Sequence, residues 1–426
     1  GRGTAPGASL VFQAVENYAD ASVLCELLGI LDGYYLTGIP FDIRQLFLQA
    51  YDAGARVHSN SWGTPVAGEY TVDSANADDF VWNHPDMLIS FSAGNAGIDA
   101  DVDGLVDLDS MGAPGTAKNV ITIGASENDR EGHWDCDSFL TYTTCADQGG
   151  QTELFTYGQA WPGDYPANPL AADPSAGNAE QLAAFSSRGP TDDGRIKPDL
   201  VAPGTWVLSG YSDLYQEGYD PQVNPQNGAY QFHGWGFPYS DAYKYQGGTS
   251  MAHPLAAGAA AVVRDFFEKA HAHAPSAALV KAVLVNSAVD LLDENNDGAN
   301  DNDYPIPNNH EGWGRIDLAA AADAGRGYVD ERNGLDTGGS ARYLYTVTSA
   351  DSVLKLTLVW SDYPSSESAA KNLVNDLDLE VTAPSGTRYP GNNFLAGWSV
   401  SGGEADRTNN VENVYIQAAE AGNWSI

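Results

Sequence analysis

Short apolar runs alternate with helical segments between residue 8 and about residue 330, and this alternation restricts the fold more than any other feature. The apolar runs are typical of buried strands and cover residues 9–14, 56–62, 87–92, 120–125 and 200–202. Residues 41–53 predict a helix that ends at Gly54, and Ser276 can cap another helix that runs to about Ala288. We therefore expect an α/β fold, a mostly parallel sheet with helices on both faces, with its chemistry at the carboxyl ends of the strands.

The last quarter of the chain has a different periodicity. After Gly325, apolar and polar residues alternate in four segments, with a turn at 384–386; the segments are 342–348, 353–360, 377–382 and 411–417. This pattern predicts a small antiparallel β-sandwich over residues 331–426. We assign residues 1–330 to the α/β domain, with an insertion at about 126–181 that is rich in Asp, Gly, Pro and aromatic residues. We expect both domains to be truncated, because the chain starts without an initiator Met and stops inside a predicted strand.

The charge balance limits the partners. The 426 residues include 57 acidic and 20 basic side chains, a formal net charge of −37. Nucleic acids and anionic membranes attract clustered Lys and Arg, so the composition argues against both. No window approaches the length of apolar sequence that a membrane span needs. The acidic surface fits a protein in salty water, a protein that holds divalent cations, or general solubility alone.

The strongest chemical signal is residues 247–254, Gly-Gly-Thr-Ser-Met-Ala-His-Pro. The segment places Ser250 at the start of a helix that runs to about Ala270, with Pro254 in the first turn. Free N–H groups and the positive end of the helix dipole favour an oxyanion beside such a serine. An isolated serine at this position would more often be only a helix N-cap.

Three further segments can be placed around this serine. Residues 92–95, Ser-Ala-Gly-Asn, follow a predicted buried strand and end in Asn95, whose amide could stabilise developing negative charge or simply occupy a turn. Residues 59–63 end another strand, where Trp62 alone would be interpreted as core packing. Residues 185–191 together with 197–204 form the third segment, to which we assign no chemical role.

In kind and in order, these four segments resemble the subtilisin-like serine proteases, the subtilases. Residues 248–254 are similar to the family's nucleophile motif Gly-Thr-Ser-Met-Ala-x-Pro, with His253 at the variable position. Residues 314–317 and 375–379 resemble subtilases that carry a C-terminal β-sandwich. The resemblance implies that Ser250 is the nucleophile and Asn95 the oxyanion-hole residue. It also implies that an extended peptide pairs by strand addition with a site formed by Ser61, Trp62, Gly63, Ser92, Ala93, Gly94 and Thr249.

The family's catalytic His and Asp are expected outside this chain. They occur in His-Gly-Thr-His and Asp-Thr/Ser-Gly segments; the first is absent, and the one Asp-Thr-Gly, residues 336–338, follows Ser250 in the sequence instead of preceding it. Residues 4–8 resemble the stretch that follows the family's catalytic helix, so both residues should precede Gly1. We do not assign the role of base to His58, which the resemblance makes structural, or to His253. The other histidines considered have no triad spacing: His84, His271, His273 and His310.

Two hypotheses of different classes follow. In the first, the complete protein is an active serine endopeptidase and this chain, inactive by itself, is a truncated part of it. In the second, the chain is a degenerate peptide-binding relative. The presence of both Ser250 and Asn95 favours the first hypothesis. A third role, binding of glycans or surfaces by the β-sandwich, is compatible with either.

Two acidic loops are candidates for structural Ca²⁺, with solvated acidic turns as the alternative. The first surrounds Gly104 and lacks the final Glu of an EF-hand; its candidate ligands are Asp99, Asp101, Asp103, Asp107 and Asp109. The second continues to Asp303 and offers Asp293, Asn295, Asp297 and Asp301. Weaker candidates in the sandwich are Asp362, Asp376 and Asp378. No Cys/His cluster suits zinc.

The expected setting is extracellular. Cys136 and Cys145 could form a local disulfide in an oxidising compartment, whereas Cys25 is expected to be a core thiol. Together with the calcium-like loops and the family resemblance, this predicts a secreted monomer that acts on protein or peptide substrates.

Overall fold

The computed structural model describes residues 3–19, 33–130, 155–210, 235, 242–331 and 333–426. The helices are α1 (Arg44–Asp52), α2 (Val72–Asn83), α3 (Tyr157–Ala160), α4 (Thr249–Ala270), α5 (Ala277–Ser287) and α6 (Leu318–Ala321). The strands before residue 250 are β1 (Asn17–Ala19), β2 (Gly33–Tyr35), β3 (Val57–Asn60), β4 (Thr64–Pro65), β5 (Leu88–Ser92), β6 (Gly112–Ala113), β7 (Ile121–Ser126), β8 (Leu200–Pro203), β9 (Val207–Gly210) and β10 (Tyr243–Gln246). The later strands are β11 (Leu344–Val347), β12 (Ser352–Val359), β13 (Glu380–Thr382), β14 (Arg388–Pro390), β15 (Phe394–Leu395), β16 (Trp398–Ser399), β17 (Val411–Ala419) and β18 (Gly422–Ser425).

A four-stranded parallel sheet organises the first part of the chain. Its order is β3-β5-β7-β8, with Val57 opposite Leu88 and Ile123 opposite Leu200. Every residue of β5 and β7 is buried, as expected for strands that are covered on both faces. The predicted α/β class is therefore confirmed, and these four strands match predicted strands to within a few residues.

Helix α4 crosses this sheet and contacts all four of its strands. Its buried face consists largely of alanine, which lets the helix backbone approach the strands closely; the buried alanines are Ala252, Ala256, Ala257, Ala259 and Ala260. The predicted cap of the next helix is confirmed, because Ser276 Oγ accepts a hydrogen bond from Leu279 N at 3.0 Å. In the part of the chain that the structure describes, no helix combines the length and apolar composition of a membrane span.

The last part of the chain is a sandwich of antiparallel strands. One sheet has the order β11-β18-β13-β14, and β12 pairs with β17 over most of their length. A separate core lies between them and is formed mainly by Val347, Leu354, Leu379, Val381, Val414, Ile416 and Trp424. Strand β12 also packs on α5, and Tyr415 of β17 belongs to the main core beside Trp313. The predicted β-sandwich is thus confirmed.

One predicted strand is wrong. Residues 9–14 form no strand, and Leu10 and Phe12 are each 90% exposed. A strand forms only where its backbone groups find a partner, and no described strand pairs with this segment. Cys25, Cys136 and Cys145 lie outside the described residues, so the disulfide stays a prediction.

Candidate active site

Three predicted site segments meet at the carboxyl edge of the parallel sheet. Ser61 follows β3, Asn95 follows β5, and Ser250 stands in the first turn of α4. The Ser250 hydroxyl donates a hydrogen bond to Ser61 O at 3.2 Å, and Thr249 N donates to Asn95 Oδ1 at 2.8 Å. The fold therefore brings the predicted nucleophile, the predicted amide donor and the predicted substrate strand together.

Ser250 is not the N-cap of its helix. That position belongs to Gly248, whose φ of 137° is open to glycine and strained for other residues. Ser250 lies within the first helical turn and is partly exposed. Its side chain is therefore not consumed by capping and remains available to react.

The amide of Asn95 has a fixed orientation. Thr249 N and Thr249 Oγ1 lie 2.8 and 2.9 Å from Asn95 Oδ1. A backbone N–H can donate only to the oxygen of a side-chain amide, so these contacts decide which end of the amide faces α4. Asn95 is exposed, and its Nδ2 is the end of the amide that Thr249 does not hold.

The loop that carries Asn95 is held tightly. Gly94 has a φ of 108°, and a Cβ there would lie 2.7 Å from Ser187 Oγ. Ser92 and Ala93 are buried, and Ala93 exchanges backbone hydrogen bonds with Gly112 and Ile123. Their side chains point away from the solvent, so a role for these two residues in binding substrate directly stays a prediction.

The segment after β3 leaves backbone open to the solvent. Ser61 and Gly63 are exposed, while Trp62 is half-buried and its ring lies edge-on to Phe91 at 5.3 Å. A Cβ at Gly63 would lie 2.7 Å from Ala113 O, where β4 pairs with β6. Glycine at position 63 therefore allows the segment after β3 to lie close to β6. Strand β3 is an edge strand of the described sheet.

His58 and His253, to which the sequence analysis assigned no role as the base, do not contact the Ser250 hydroxyl. His58 Nε2 bonds Gln13 Oε1 at 2.9 Å, and burial lowers the pKa of His58 to about 4. The His253 ring is fully buried between Ser59, Ser61 and Ser90, and burial lowers its pKa to about 3. Among the described residues, no histidine nitrogen lies within hydrogen-bonding distance of Ser250 Oγ.

An aromatic cavity, which the sequence did not predict, lies next to Asn95. It has a volume of about 160 Å³, and Gly247 and Gly248 form part of its wall. The other lining residues are Trp161, Asp164, Tyr165, Phe185 and Trp235. Aromatic faces beside a carboxylate suit an apolar or cationic side chain. The signal in the sequence was the aromatic content of the insertion, which does not reveal a cavity.

The two acidic loops gather only some of their predicted ligands. In the first loop, carboxylate oxygens of Asp99, Asp101 and Asp107 lie within 4.8 Å of one another. In the second, Asp297, Asp301 and Asp303 meet in the same way. Three predicted ligands are outside these groups but adjoin them in sequence: Asp103, Asp109 and Asn295. Asp293, also outside, is 1% exposed, and burial raises its pKa to about 7.

The weaker metal candidates in the sandwich all have basic partners. The Asp362 carboxylate is fully buried and pairs with the Lys118 ammonium at 2.5 Å. Asp376 and Asp378 both bond Arg407, at 3.0 and 2.7 Å. Lys118 balances the charge of Asp362, whereas Asp376 and Asp378 share one Arg407, so a metal ion at these three residues has less support than one in the acidic loops.

A serine in the first turn of a helix, next to a threonine that holds a side-chain amide at the carboxyl edge of a parallel sheet, is an arrangement compatible with a serine-hydrolase type of site. The model of the subtilase family matches residues 36–314. The chain belongs to the subtilase family, as its motifs predicted.

The curated relatives named here are much longer than this chain. The serine protease/ABC transporter B family protein tagD of Dictyostelium discoideum is 28% identical over 80% of this chain and 22% of its own length. The minor extracellular protease Vpr of Bacillus subtilis is 35% identical over 34% of this chain and 14% of its own. The solved patellamide maturation protease PatA is 18% identical, with a TM-score of 0.37 over 65% of each chain. The chain spans about a fifth of the length of the first of these curated relatives.

Proposed function

We propose that this chain belongs to a serine endopeptidase in which Ser250 attacks the peptide carbonyl and Asn95 stabilises the resulting oxyanion. The observation that carries the proposal is the fixed Asn95 amide, whose Oδ1 is held by Thr249, the residue before Ser250, so that its Nδ2 is left as the donor. Because that donor is oriented before substrate binds, no reorganisation is needed as charge develops on the carbonyl oxygen.

The reaction proceeds through an acyl-enzyme. Ser250 Oγ forms a bond to the carbonyl carbon as its proton passes to a general base, and the oxygen of the tetrahedral intermediate accepts a hydrogen bond from Asn95 Nδ2. Collapse of the intermediate breaks the C–N bond, and the base returns the proton to the leaving amine. Water then repeats the sequence and releases the acid product. The exposed backbone of Ser61 and Gly63 suits pairing with an extended peptide.

We place the histidine base and its orienting aspartate outside these 426 residues. A serine hydroxyl is a weak nucleophile near pH 7 without an adjacent base. The sequence lacks the family's histidine motif, and its one Asp-Thr-Gly, residues 336–338, is exposed and lies after the nucleophile in the sequence. His58 and His253 are buried and hydrogen-bonded to other side chains. The chain by itself is then inactive, whereas the complete protein is active.

A fluorophosphonate probe tests this function. We expect the complete protein to be phosphonylated at Ser250, as mapped by mass spectrometry of its peptides. The chain of residues 1–426 should not be labelled, since it has no base to accept the serine proton. Alanine variants at His133 and His233, the two histidines outside the described ranges, serve as controls and should keep the label.

The alternative is a catalytically inactive peptide-binding subtilase. It predicts that the folded complete protein binds extended peptides but takes up no probe at Ser250. Labelling that persists in a Ser250→Ala variant would also contradict the proposed role of the serine.

We further propose that the protein is a secreted monomer that acts on proteins or peptides; the relative Vpr is by name an extracellular protease.

We also propose that Ca²⁺ binds the two acidic loops and stabilises the fold. The second loop has the stronger support, because both carboxylate oxygens of buried Asp293 have no hydrogen-bond partner. Oxygen atoms of Glu294 and Asn302 in the same loop are also buried and unpartnered. Leaving such acceptors unsatisfied is costly, and a hard cation with oxygen ligands would satisfy them.

Removal of calcium should lower the melting temperature. We expect EDTA to lower it by several degrees and added Ca²⁺ to restore it, because a ligand that binds only the folded state stabilises that state. Calorimetric titration of the EDTA-treated protein should show binding that Asp297→Asn weakens. Asp265→Asn, in an exposed ion pair on α4, is the matched control and should bind Ca²⁺ as the wild type does. An unchanged melting temperature together with no binding heat would contradict the proposal.

A further inference from the structure

His253 connects the helix of the nucleophile to the strand that precedes the substrate-binding segment. It lies one helical turn after Ser250 and its side chain is completely buried. Its Nδ1 is 3.1 Å from Ser61 Oγ, and its Nε2 is 2.8 Å from Ser90 Oγ. One ring therefore contacts two hydroxyls from neighbouring parts of the sheet: that of Ser61, just after β3, and that of Ser90, within β5.

Ser61 and Ser250 hold each other in a reciprocal pair. Ser61 Oγ donates to Ser250 O at 3.0 Å, and Ser250 Oγ donates to Ser61 O at 3.2 Å. The position of the nucleophile relative to the substrate-binding strand thus depends on the hydroxyl of Ser61. Ser61 itself is exposed, so water competes for that hydroxyl unless another group directs it.

Counting protons gives the direction of this network. Ser61 Oγ has one hydrogen, and if it donates to Ser250 O, it can only accept from His253. Ser90 Oγ also has a carbonyl within reach, His58 O at 3.3 Å, but the bond from Ser61 Oγ to Ser250 O is shorter at 3.0 Å, which favours Ser61 as the hydroxyl that donates to the backbone. Nδ1 then carries the proton of the neutral ring, with Ser61 Oγ nearer to it than Ser59 Oγ, which lies at 3.3 Å, and Nε2 accepts from Ser90 Oγ. The chain of donors runs from His253 Nδ1 to Ser61 Oγ to Ser250 O.

The ring remains neutral at physiological pH. The buried site of the ring is lined by serine hydroxyls and the alanine-rich face of α4. The titratable side chain with which the ring interacts is His58, and burial lowers the pKa of His58 too, so His58 is neutral. No described carboxylate bonds to His253 and would favour an imidazolium. The direction of the network therefore does not change between about pH 5 and 9.

We infer that His253 is a positioning residue: its neutral, Nδ1-protonated imidazole orients Ser61, and through Ser61 it fixes Ser250 against the substrate-binding strand. This inference rests on the proposed protease function. It explains why a histidine occupies the variable position of the nucleophile motif. The His253 ring faces away from the reacting hydroxyl and into the core. Misplacement of a reacting group by about 1 Å can reduce a rate by about 10²-fold, so such a residue affects turnover without contacting substrate.

Two isosteric variants separate positioning from simple packing. The Asn side-chain amide reaches the position of His Nδ1, whereas that of Gln reaches the position of Nε2. In the complete protein, we expect His253→Gln to lower kcat by about 10-fold or more, with a smaller change in KM, because the donor to Ser61 is lost. His253→Asn keeps that donor and should remain within about 3-fold of wild type. His310→Gln, at a buried histidine outside this network, is the matched control and should leave both constants unchanged.

Two further measurements complete the test. Nitrogen-15 NMR of the imidazole should show a neutral Nδ1–H tautomer in the wild type, independently of activity. His253→Gln combined with Ser61→Ala should be no slower than the slower single variant, since both remove the same interaction. An Nε2–H tautomer, equal kcat values for the Asn and Gln variants, or additive losses would each overturn the role of His253. A wild-type complete protein that neither cleaves peptides nor takes up a fluorophosphonate would instead overturn the proposed function and the catalytic meaning of His253 with it.

Discussion

Replacement of Ser250 by alanine is expected to lower the kcat of the complete protein by about 10⁶-fold, the order measured in subtilisin, itself a subtilase. The covalent route depends on this one hydroxyl, which the fold leaves outside the helix cap and against Ser61 O. Peptide binding should be retained, because removal of Ser250 Oγ frees Ser61 O as an acceptor and leaves Gly63 exposed. Steady-state kinetics on a chromogenic peptide give kcat, and binding of the same peptide to the variant gives its affinity.

Asn95→Leu provides the graded comparison within the same site. It removes one oxyanion donor while the nucleophile remains, so we expect a loss of about 10²–10³-fold in kcat with little change in KM, again a value measured on a subtilisin. Thr249 should show a smaller effect, since it acts by orienting Asn95. Equal losses at positions 250 and 95, or a change confined to KM at position 95, would contradict the assigned roles.

The sequence predicted the sheet and identified the candidate site residues because both depend on local patterns. Runs such as 87–92 are short and largely apolar, which is typical of strands that are buried on both faces. Residues 9–14 have the same composition but form no strand, because strand formation also depends on a partner. Ser250 and Asn95 were found because their motifs are contiguous in the sequence.

Interactions between distant segments could not be predicted in this way. Ser61 and His253 are 192 positions apart in sequence, and no local pattern indicates that they share a hydrogen bond. The acidic loops show the same limit, because spacing identified the loops but not which of Asp99, Asp101, Asp103 and Asp107 converge. Lys118 and Asp362 are separated by 244 positions, and nothing around either residue predicts their contact.

The Lys118–Asp362 pair joins the α/β part of the chain to the sandwich. Both side chains are completely buried, and the Lys118 ammonium also donates to Tyr363 O at 2.6 Å and Asn372 O at 2.8 Å. Three oxygen atoms thus surround one ammonium from which water is excluded. Asp362 in turn accepts hydrogen bonds from the backbone N–H groups of Val374 and Asn375, so it also organises the loop that receives the lysine.

Lys118→Met should therefore be strongly destabilising. Removal of one partner from a buried ion pair costs about 3–5 kcal/mol, because the remaining charge stays buried without compensation. We expect a matching loss in the free energy of unfolding by urea denaturation, and faster hydrogen exchange in residues 362–375. Lys269→Met is the matched control: its pair with Asp265 on α4 is largely exposed and should contribute only about 0.3–0.5 kcal/mol.

Variants that keep or remove charge distinguish an electrostatic role from a packing role. Lys118→Arg keeps the positive charge, but the larger planar guanidinium does not fit three oxygens arranged around a compact ammonium, so it should also be destabilised. Lys118→Met combined with Asp362→Asn removes both charges and should recover part of the stability lost in Lys118→Met alone. Recovery should be incomplete, because the carbonyls of Tyr363 and Asn372 still lack the ammonium. If the double variant were as unstable as the sum of the two single variants, the buried charge would not be the cause, and loss of packing at the junction would explain the effect instead.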